Sequence, residues 1–416
     1  MNEKKDCVPY GAECYGLQWV GKQDAIRAAS TPARAVLVPD VAKSVSFDDA
    51  QNVFIEGDNL EALKLLQGEY FNAIKLIYID PPYNTGSEFV YNDDYGKHSQ
   101  WLSMMYPRLA LARNLLRTDG FIFISIDDNE VDYLKLLCDS IFGEDGFIGR
   151  FIWKKGGTGK QDSRFGVTEH EYILAYAKSV SSASYNPDTE AKVTTWYNHE
   201  DENGRYSLVR LDMQNLRYSA ALDYELIGPD GTLYKLEHKD PNRPNATWRW
   251  SAERVARDID QLVFQNGKVY TKNYQKTGAK VRSLLADERF GVTRTGRAEL
   301  ESIFGESGIF DFPKPVRLIK YLLRIGSDTD SVILDFFAGS GTTAQAAAEL
   351  NEEDGGNRRV ISVNAPEPTP IGSIAREHGY EKVSDITYAR LIKVMHKFPT
   401  AQQQGLRYYR LAPTHP

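Results

Sequence analysis

From residue 53 onward the chain alternates two textures. Val53-Phe54-Ile55-Glu56 is a short apolar run of strand length, and Leu60, Leu63 and Leu66 then recur at helical spacing. Ile74 to Ile79 is almost continuously apolar, as a central strand of a parallel sheet requires when both faces are covered. The pattern next predicts a long amphipathic helix from Trp101 to Leu116, a strand from Phe121 to Ile126 and a helix from Val131 to Ile141. Phe151-Ile152-Trp153 and Tyr172 to Tyr176 read as strands added antiparallel to that sheet.

The texture changes near Arg150, and from about Ser179 to Gly308 short alternating segments are rich in Asn, Asp, Gly, Pro and Tyr. After Phe310 the earlier pattern resumes, with a helix from Val316 to Arg324, a strand from Val332 to Asp335, a helix from Thr342 to Leu350 and a strand from Arg359 to Val363. One α/β domain interrupted in its middle accounts for this order. The expected division is 1–178 and 309–416 for the two halves of that domain, with 179–308 as an insertion.

Composition narrows the class. In 416 residues, 42% are hydrophobic and 12% aromatic, enough for a sizeable core. No apolar run approaches the roughly 18 residues that span a bilayer, and Met1 to Lys5 lacks the start of a secretion signal, so a cytoplasmic location is expected. The three cysteines (Cys7, Cys14, Cys138) and the seven scattered histidines form neither a disulfide framework nor a ligand pattern, so no metal is expected. The net charge of −7 argues against a polyanionic partner only on average, because 12 basic residues face 5 acidic ones between Arg243 and Arg297.

Two motifs carry chemistry. The first, Asp80-Pro81-Pro82-Tyr83-Asn84-Thr85-Gly86, follows the strand Ile74 to Ile79, and ligands of parallel sheets bind beyond the carboxyl ends of strands. An exocyclic amine on a base is a weak nucleophile because its lone pair is delocalised. Two acceptors aimed at its hydrogens would pyramidalise the nitrogen, and Asp80 with the carbonyl of Pro81 can supply them. Consecutive prolines hold that carbonyl still and offer no competing N–H, while Tyr83 presents a face for an extruded base.

The second motif is Asp335-Phe336-Phe337-Ala338-Gly339-Ser340-Gly341-Thr342-Thr343, at a strand–helix turn. Its glycines allow close approach to the backbone, yet no lysine follows as in a phosphate-binding loop. A zwitterionic ligand without phosphates suits it better, with Asp335 near a cationic group.

Together these motifs resemble those of the amino-methylating DNA methyltransferases, in the adenine-type form that begins with Asp. The catalytic half precedes the cofactor half, as in the circularly permuted β arrangement. Gly57-Asp58-Asn59-Leu60-Glu61-Ala62-Leu63, Phe123 to Glu130 and Phe312-Pro313-Lys314-Pro315 extend the resemblance to the modification subunits of type III restriction–modification systems. That resemblance implies a Rossmann-like α/β methyltransferase sheet with an inserted target-recognition domain, S-adenosyl-L-methionine as cofactor and methylation of adenine N6. Cytosine N4 methylation, or a DNA-recognition subunit that recruits a nuclease, is the alternative. Asp335, Phe337, Gly339, Ser340, Gly341 and Thr342 would cradle the cofactor, Lys314 and Pro315 would close over its carboxylate end, and Asp58 would meet its adenosine. Asn364 or Glu367 would hold the ribose. The implied partners are double-stranded DNA, a restriction subunit and a second copy of the chain. Such subunits are usually longer at both ends, so the tails that dock a nuclease are expected to be missing.

Target choice needs contacts to phosphates and base edges. Lys154, Lys155, Lys160 and Arg164 combine charge with glycines in one segment and are the first candidates for DNA contact. Arg249, Lys272, Lys276, Lys280 and Arg282 follow, with Trp248, Trp250 and Tyr274 as aromatic neighbours. Asn84 to His98 reads as a polar loop that could order over a flipped base.

Overall fold

The computed structural model describes residues 16–86, 90, 93–156, 166–191, 195–214, 218–240, 242 and 244–414. It divides into two units, Met1–Asn186 with Val281–Pro416, and Pro187–Lys280. The second is narrower than the expected insertion. Residues 179–186 and 281–308 belong with the sheet, including a helix at Thr293–Phe304 whose polar sequence hid it in the irregular stretch.

Ten strands of the first unit make one sheet. In chain order they are β1 (Ala35–Pro39), β2 (Asn52–Glu56), β3 (Ile74–Ile79), β4 (Leu116–Ile126), β5 (Phe147–Lys154), β6 (His170–Ala177), β7 (Leu284–Leu285), β8 (Val332–Asp335), β9 (Arg359–Asn364) and β10 (Leu406–Pro413). Across the sheet the order is β1-β10-β2-β9-β8-β3-β4-β6-β5-β7. From β10 to β4 every pairing is parallel, and β6 lies antiparallel between β4 and β5. Of the two strands expected to run antiparallel to the sheet, Tyr172–Tyr176 in β6 does so, whereas Phe151–Trp153 in β5, antiparallel to β6, runs in the same direction as the central strands.

Central strands are buried on both faces, which explains their unbroken apolar runs. In β3, Ile77 and Ile79 point to one core, and Leu76 and Tyr78 to the other. The first core is covered by α2 (Asn59–Tyr70), α3 (His98–Leu115) and α4 (Val131–Phe142), with α1 (Lys22–Ser30) packed against α3. The second is covered by α6 (Val316–Gly326) and α7 (Thr342–Asp354), with α8 (Val383–Lys397) behind α7 and α5 (Thr293–Phe304) against α8. Lys75, the one charged residue within β3, reaches the strand's start, where its Nζ meets Asp119 at 2.8 Å.

The Pro187–Lys280 unit contains a four-stranded antiparallel sheet, in the order Leu262–Gln265, Lys268–Tyr274, Gly204–Arg210, His199–Asp201. Asn266-Gly267 closes its first hairpin with both residues at positive φ, the chemistry a two-residue turn demands. Trp248 is core here, with its indole N–H on the Tyr224 carbonyl at 2.8 Å. Lys272 and the Tyr274 hydroxyl both bond Asp201 at 2.8 Å, within the unit. Arg249, Lys276 and Lys280 are exposed, as is Arg282 of the first unit.

Candidate active site

Strands β3 and β8 are parallel neighbours, with Leu76 opposite Ile333 and Ile77 opposite Leu334. Asp80 and Asp335 consequently leave the sheet side by side at its carboxyl edge. β9 delivers Asn364 and β2 delivers Asp58 to the same edge. The two motifs, more than 250 residues apart in sequence, thus meet at the ligand-binding edge of a parallel sheet.

A cleft of about 1000 Å³, its open mouth included, lies over β8 and β9. Asp58, Asp335, Phe337, Gly339, Ser340, Thr342 and Asn364 line it. Gly341 stands behind the wall at φ 83°, where an added Cβ would lie 2.9 Å from Leu391. Arg390 fastens the turn from beneath: its Nη1 donates to Ser340 Oγ and Thr342 Oγ1, each at 2.9 Å, and its Nε to Gln345 at 2.9 Å. Burial lowers this guanidinium's pKa to about 10, so it stays cationic at neutral pH.

The carboxylates and amide at the cleft have further duties. Asp335 accepts from the Phe337 N–H at 3.1 Å and the Thr343 hydroxyl at 2.5 Å, while burial pushes its carboxyl up to about 7. Asp58 caps α2 by accepting from the N–H groups of Leu60 and Glu61, and its other oxygen meets Arg108 at 3.1 Å. Asn364 donates its amide to the Gly339 carbonyl and to Thr387, so it braces the glycine turn. Asn59, Arg108, Phe310 and Glu367 also line the cleft. Of these the sequence had singled out only Glu367 by role. Arg108 could have been suspected as a cation one helical turn beyond Met104 on the largely apolar α3.

Lys314 and Pro315, both expected at the cofactor, take different places. Lys314 lines the cleft, with its ammonium turned to Asp80. Its Nζ sits 2.9 Å from both oxygens of Asp80, because an ammonium buried beside an acid pairs with it. Pro315 lines neither this cleft nor the cavity beyond Asp80: it caps α6 and packs where Gly291 leaves room.

A second cavity opens on the far side of Asp80. Pro81, Tyr83, Trp153, Lys155, Glu171 and Arg297 contribute walls, and Asp80, Phe312, Pro313 and Lys314 belong to both cavities. The loop carrying the first motif is pinned from within. Buried Asp93 accepts from the N–H of Tyr83 at 2.6 Å, of Asn84 at 3.1 Å and of Thr85 at 3.0 Å, and from the Thr85 hydroxyl. The Pro82 carbonyl takes the Trp101 indole N–H at 2.8 Å, and Asn84, at φ 60°, donates to Glu130 at 2.7 Å.

Lys155, expected on DNA phosphates, turns its Nζ into this second cavity, 3.4 Å from Glu171. Lys154 ends β5, half-buried. Lys160 and Arg164 lie outside the described residues, as do parts of the Asn84 to His98 loop. Glu171 also accepts from the Tyr83 hydroxyl at 3.1 Å and lies 3.4 Å from Lys314. Burial drives the carboxyls of Asp80 and Glu171 upward. At Asp80 it prevails over Lys314 and the value is raised; at Glu171 the ammoniums of Lys314 and Lys155 prevail and it is lowered. Burial would strip Lys314 of its proton, but Asp80 and Glu171 hold it above the ordinary lysine value.

A parallel sheet with an acid-ended strand beside a glycine-turned one, and a cavity on each side of that acid, defines the fold and site of an amino-group methyltransferase. The DNA methylase family matches residues 74–384, and the chain belongs to that family, which uses S-adenosylmethionine as methyl donor. The chain is 34% identical to the type III restriction-modification enzyme StyLTI Mod subunit of Salmonella typhimurium, over 96% of its own length and 66% of that protein's. It thus spans about two thirds of that relative. It is 37% identical to the type II methyltransferase M.KpnI of Klebsiella pneumoniae, over 86% of the chain and 92% of the relative. Among solved structures, the cytosine-N4-specific PvuII DNA methyltransferase is 12% identical, with a TM-score of 0.41, over 83% of this chain and 93% of that one.

Proposed function

We propose that the protein transfers a methyl group from S-adenosylmethionine to the N6 amine of adenine within a particular sequence of double-stranded DNA, as the modification arm of a restriction–modification system. The observation that supports this best is the shared position of Asp80, at the wall between two cavities. The glycine turn borders one, and Tyr83 the other.

The residues fit the cofactor. A turn open at Gly339, with Asp335 buried at its base, suits a zwitterion better than a phosphate, and Glu367 puts an acid within the cleft for ribose hydroxyls. When bound, S-adenosylmethionine supplies an electrophilic methyl on sulfur and departs as the neutral thioether. Asp80 accepts one hydrogen of the adenine amine and Pro81, through its carbonyl, the other, which turns the nitrogen lone pair towards the cleft. Tyr83 stacks on the extruded base. As the N–C bond forms, the nitrogen's surplus proton has Asp80 as its nearest acceptor, a carboxylate whose pKa burial has already raised.

DNA contact falls, in this reading, to the segment around Lys154 and Arg164 and to the exposed cations of the Pro187–Lys280 unit. Likeness to Mod subunits makes a restriction subunit the proposed partner, to be sought by co-purification. Incubation with labelled cofactor and mixed genomic DNA, followed by base analysis, tests the substrate. N6-methyladenine is expected; N4-methylcytosine as the product would overturn the choice of base.

A further inference from the structure

Lys314 stands where the reading above places the target amine. Its ammonium is 2.9 Å from each Asp80 oxygen and 4.9 Å from the centre of the Tyr83 ring. It competes at once for the acceptor and for the stacking face that an extruded adenine needs. An incoming base must therefore displace it.

The cavity holds a second acid within reach of the same nitrogen. Glu171 Oε2 is 3.4 Å from Lys314 Nζ, while its Oε1 is 3.4 Å from Lys155. The side chains of Lys314 and Glu171 are about nine-tenths buried, so neither charge has water as an easy refuge. Asp80, Glu171, Lys314 and Lys155 carry charges that sum to zero. A neutral base can enter such a set without any charge leaving it, provided Lys314 exchanges one carboxylate for the other. The lysine stem is flexible enough for that exchange. Its backbone is not: α5 grips the strap around it, with Gly296 against Pro313 and Glu299 accepting the Val316 N–H at 2.7 Å.

We propose that Glu171 is a positioning residue for methyl transfer: it draws the Lys314 ammonium off Asp80 and Tyr83 when the target base arrives, leaving Asp80 free for the amine. This rests on the reading of Asp80 as the acceptor of that amine.

The test is a double-mutant cycle on DNA carrying the protein's own site, read from methylated genomic DNA. Glu171→Gln keeps the shape and the Tyr83 contact but removes the attracting charge, whereas Glu171→Asp keeps the charge. Glu171→Gln is expected to lower kcat/KM for DNA about 100-fold, the scale of a lost charged hydrogen bond. Calorimetric affinity for S-adenosylmethionine should hardly change. Without cofactor, 2-aminopurine at the target position should fluoresce less with this variant than with wild type, because the base cavity stays filled. With Lys314→Met already present, adding Glu171→Gln should cost only about threefold or less, because nothing is left to reposition.

Should Glu171→Gln also lose cofactor binding through misfolding, Glu171→Asp decides, with recovery of most activity expected and activity as low as that of a charge-free variant overturning the proposal. An equal penalty with and without Lys314 would overturn it too, as would an unaffected Glu171→Gln enzyme. Base analysis of the wild-type product separates the two layers: methyl on a ring atom sinks the amine reading, whereas methyl on the amine with multiplicative penalties sinks only the role of Glu171.

Discussion

Gly296 lies so near the carbonyl of Pro313 that a Cβ on it would sit 2.1 Å from that oxygen. The contact lets α5 press against the strap that delivers Lys314 to Asp80. Helix propensity alone favours alanine over glycine by about 1 kcal/mol, yet here backbone cannot yield as a side chain would. Gly296→Ala is therefore expected to destabilise the fold by about 1–3 kcal/mol, the usual scale of overpacking. Denaturant unfolding measures it, and a neutral or stabilising result would show that the strap can move.

Asp93 holds three successive N–H groups of the Tyr83–Thr85 loop with one carboxylate. Asp93→Asn turns one acceptor into a donor that faces N–H groups. The expected loss is about 1–3 kcal/mol of stability, as for an unsatisfied buried group. A fall of kcat by about tenfold or more should accompany it, since misplacing reacting groups by a fraction of an ångström is costly. Unfolding curves and steady-state rates on the same variant check both.

Tyr83 has two separable parts. Its hydroxyl donates to Glu171, and its ring borders the cavity assigned to the base. Tyr83→Phe is expected to keep most of the turnover, whereas Tyr83→Ala should lose about 1–3 kcal/mol of base stacking, or roughly 10- to 100-fold in kcat/KM for DNA. Equal loss in both variants would assign the role to the hydroxyl.

The Asp335 carboxyl titrates near 7 in the folded chain, against 3.8 for an ordinary aspartate. Between those values the folded state holds a proton that the unfolded state has released, so the contribution of Asp335 to stability falls as pH rises from about 4 to about 7 and is flat above. The difference in unfolding free energy between wild type and Asp335→Asn should trace that decline. A bound cation in the cleft favours the ionised carboxylate, so saturating S-adenosylmethionine should flatten the curve. A difference that rises with pH in the free protein would contradict the burial argument.

Local chemistry was readable from the chain. Ile74 to Ile79 announced a buried strand because both of its faces are covered, and the Asp and Gly residues after β3 and β8 announced turns at a ligand-binding edge. Residues that work through distant partners left no such mark. Glu171 sits in a strand beside Tyr172 and looks like an ordinary end-of-strand acid, while Arg390 is one cation on an amphipathic helix until Ser340 and Thr342 fold over it. Lys314 carried a motif, yet its target depended on which acid lay nearest in space. Thr293–Phe304 was missed because its few apolar residues (Ala298, Leu300, Ile303, Phe304) are too sparse to mark a buried face, and the strands β1 and β10 join only through long-range pairing.

The central claim is a division of labour: Asp80 serves the acceptor base and the glycine turn serves the methyl donor. Calorimetry of Asp80→Ala with S-adenosylmethionine, run beside a methylation assay on the same preparation, tests it most directly. The account predicts methylation abolished and cofactor affinity nearly unchanged; affinity lost in step with turnover would contradict it.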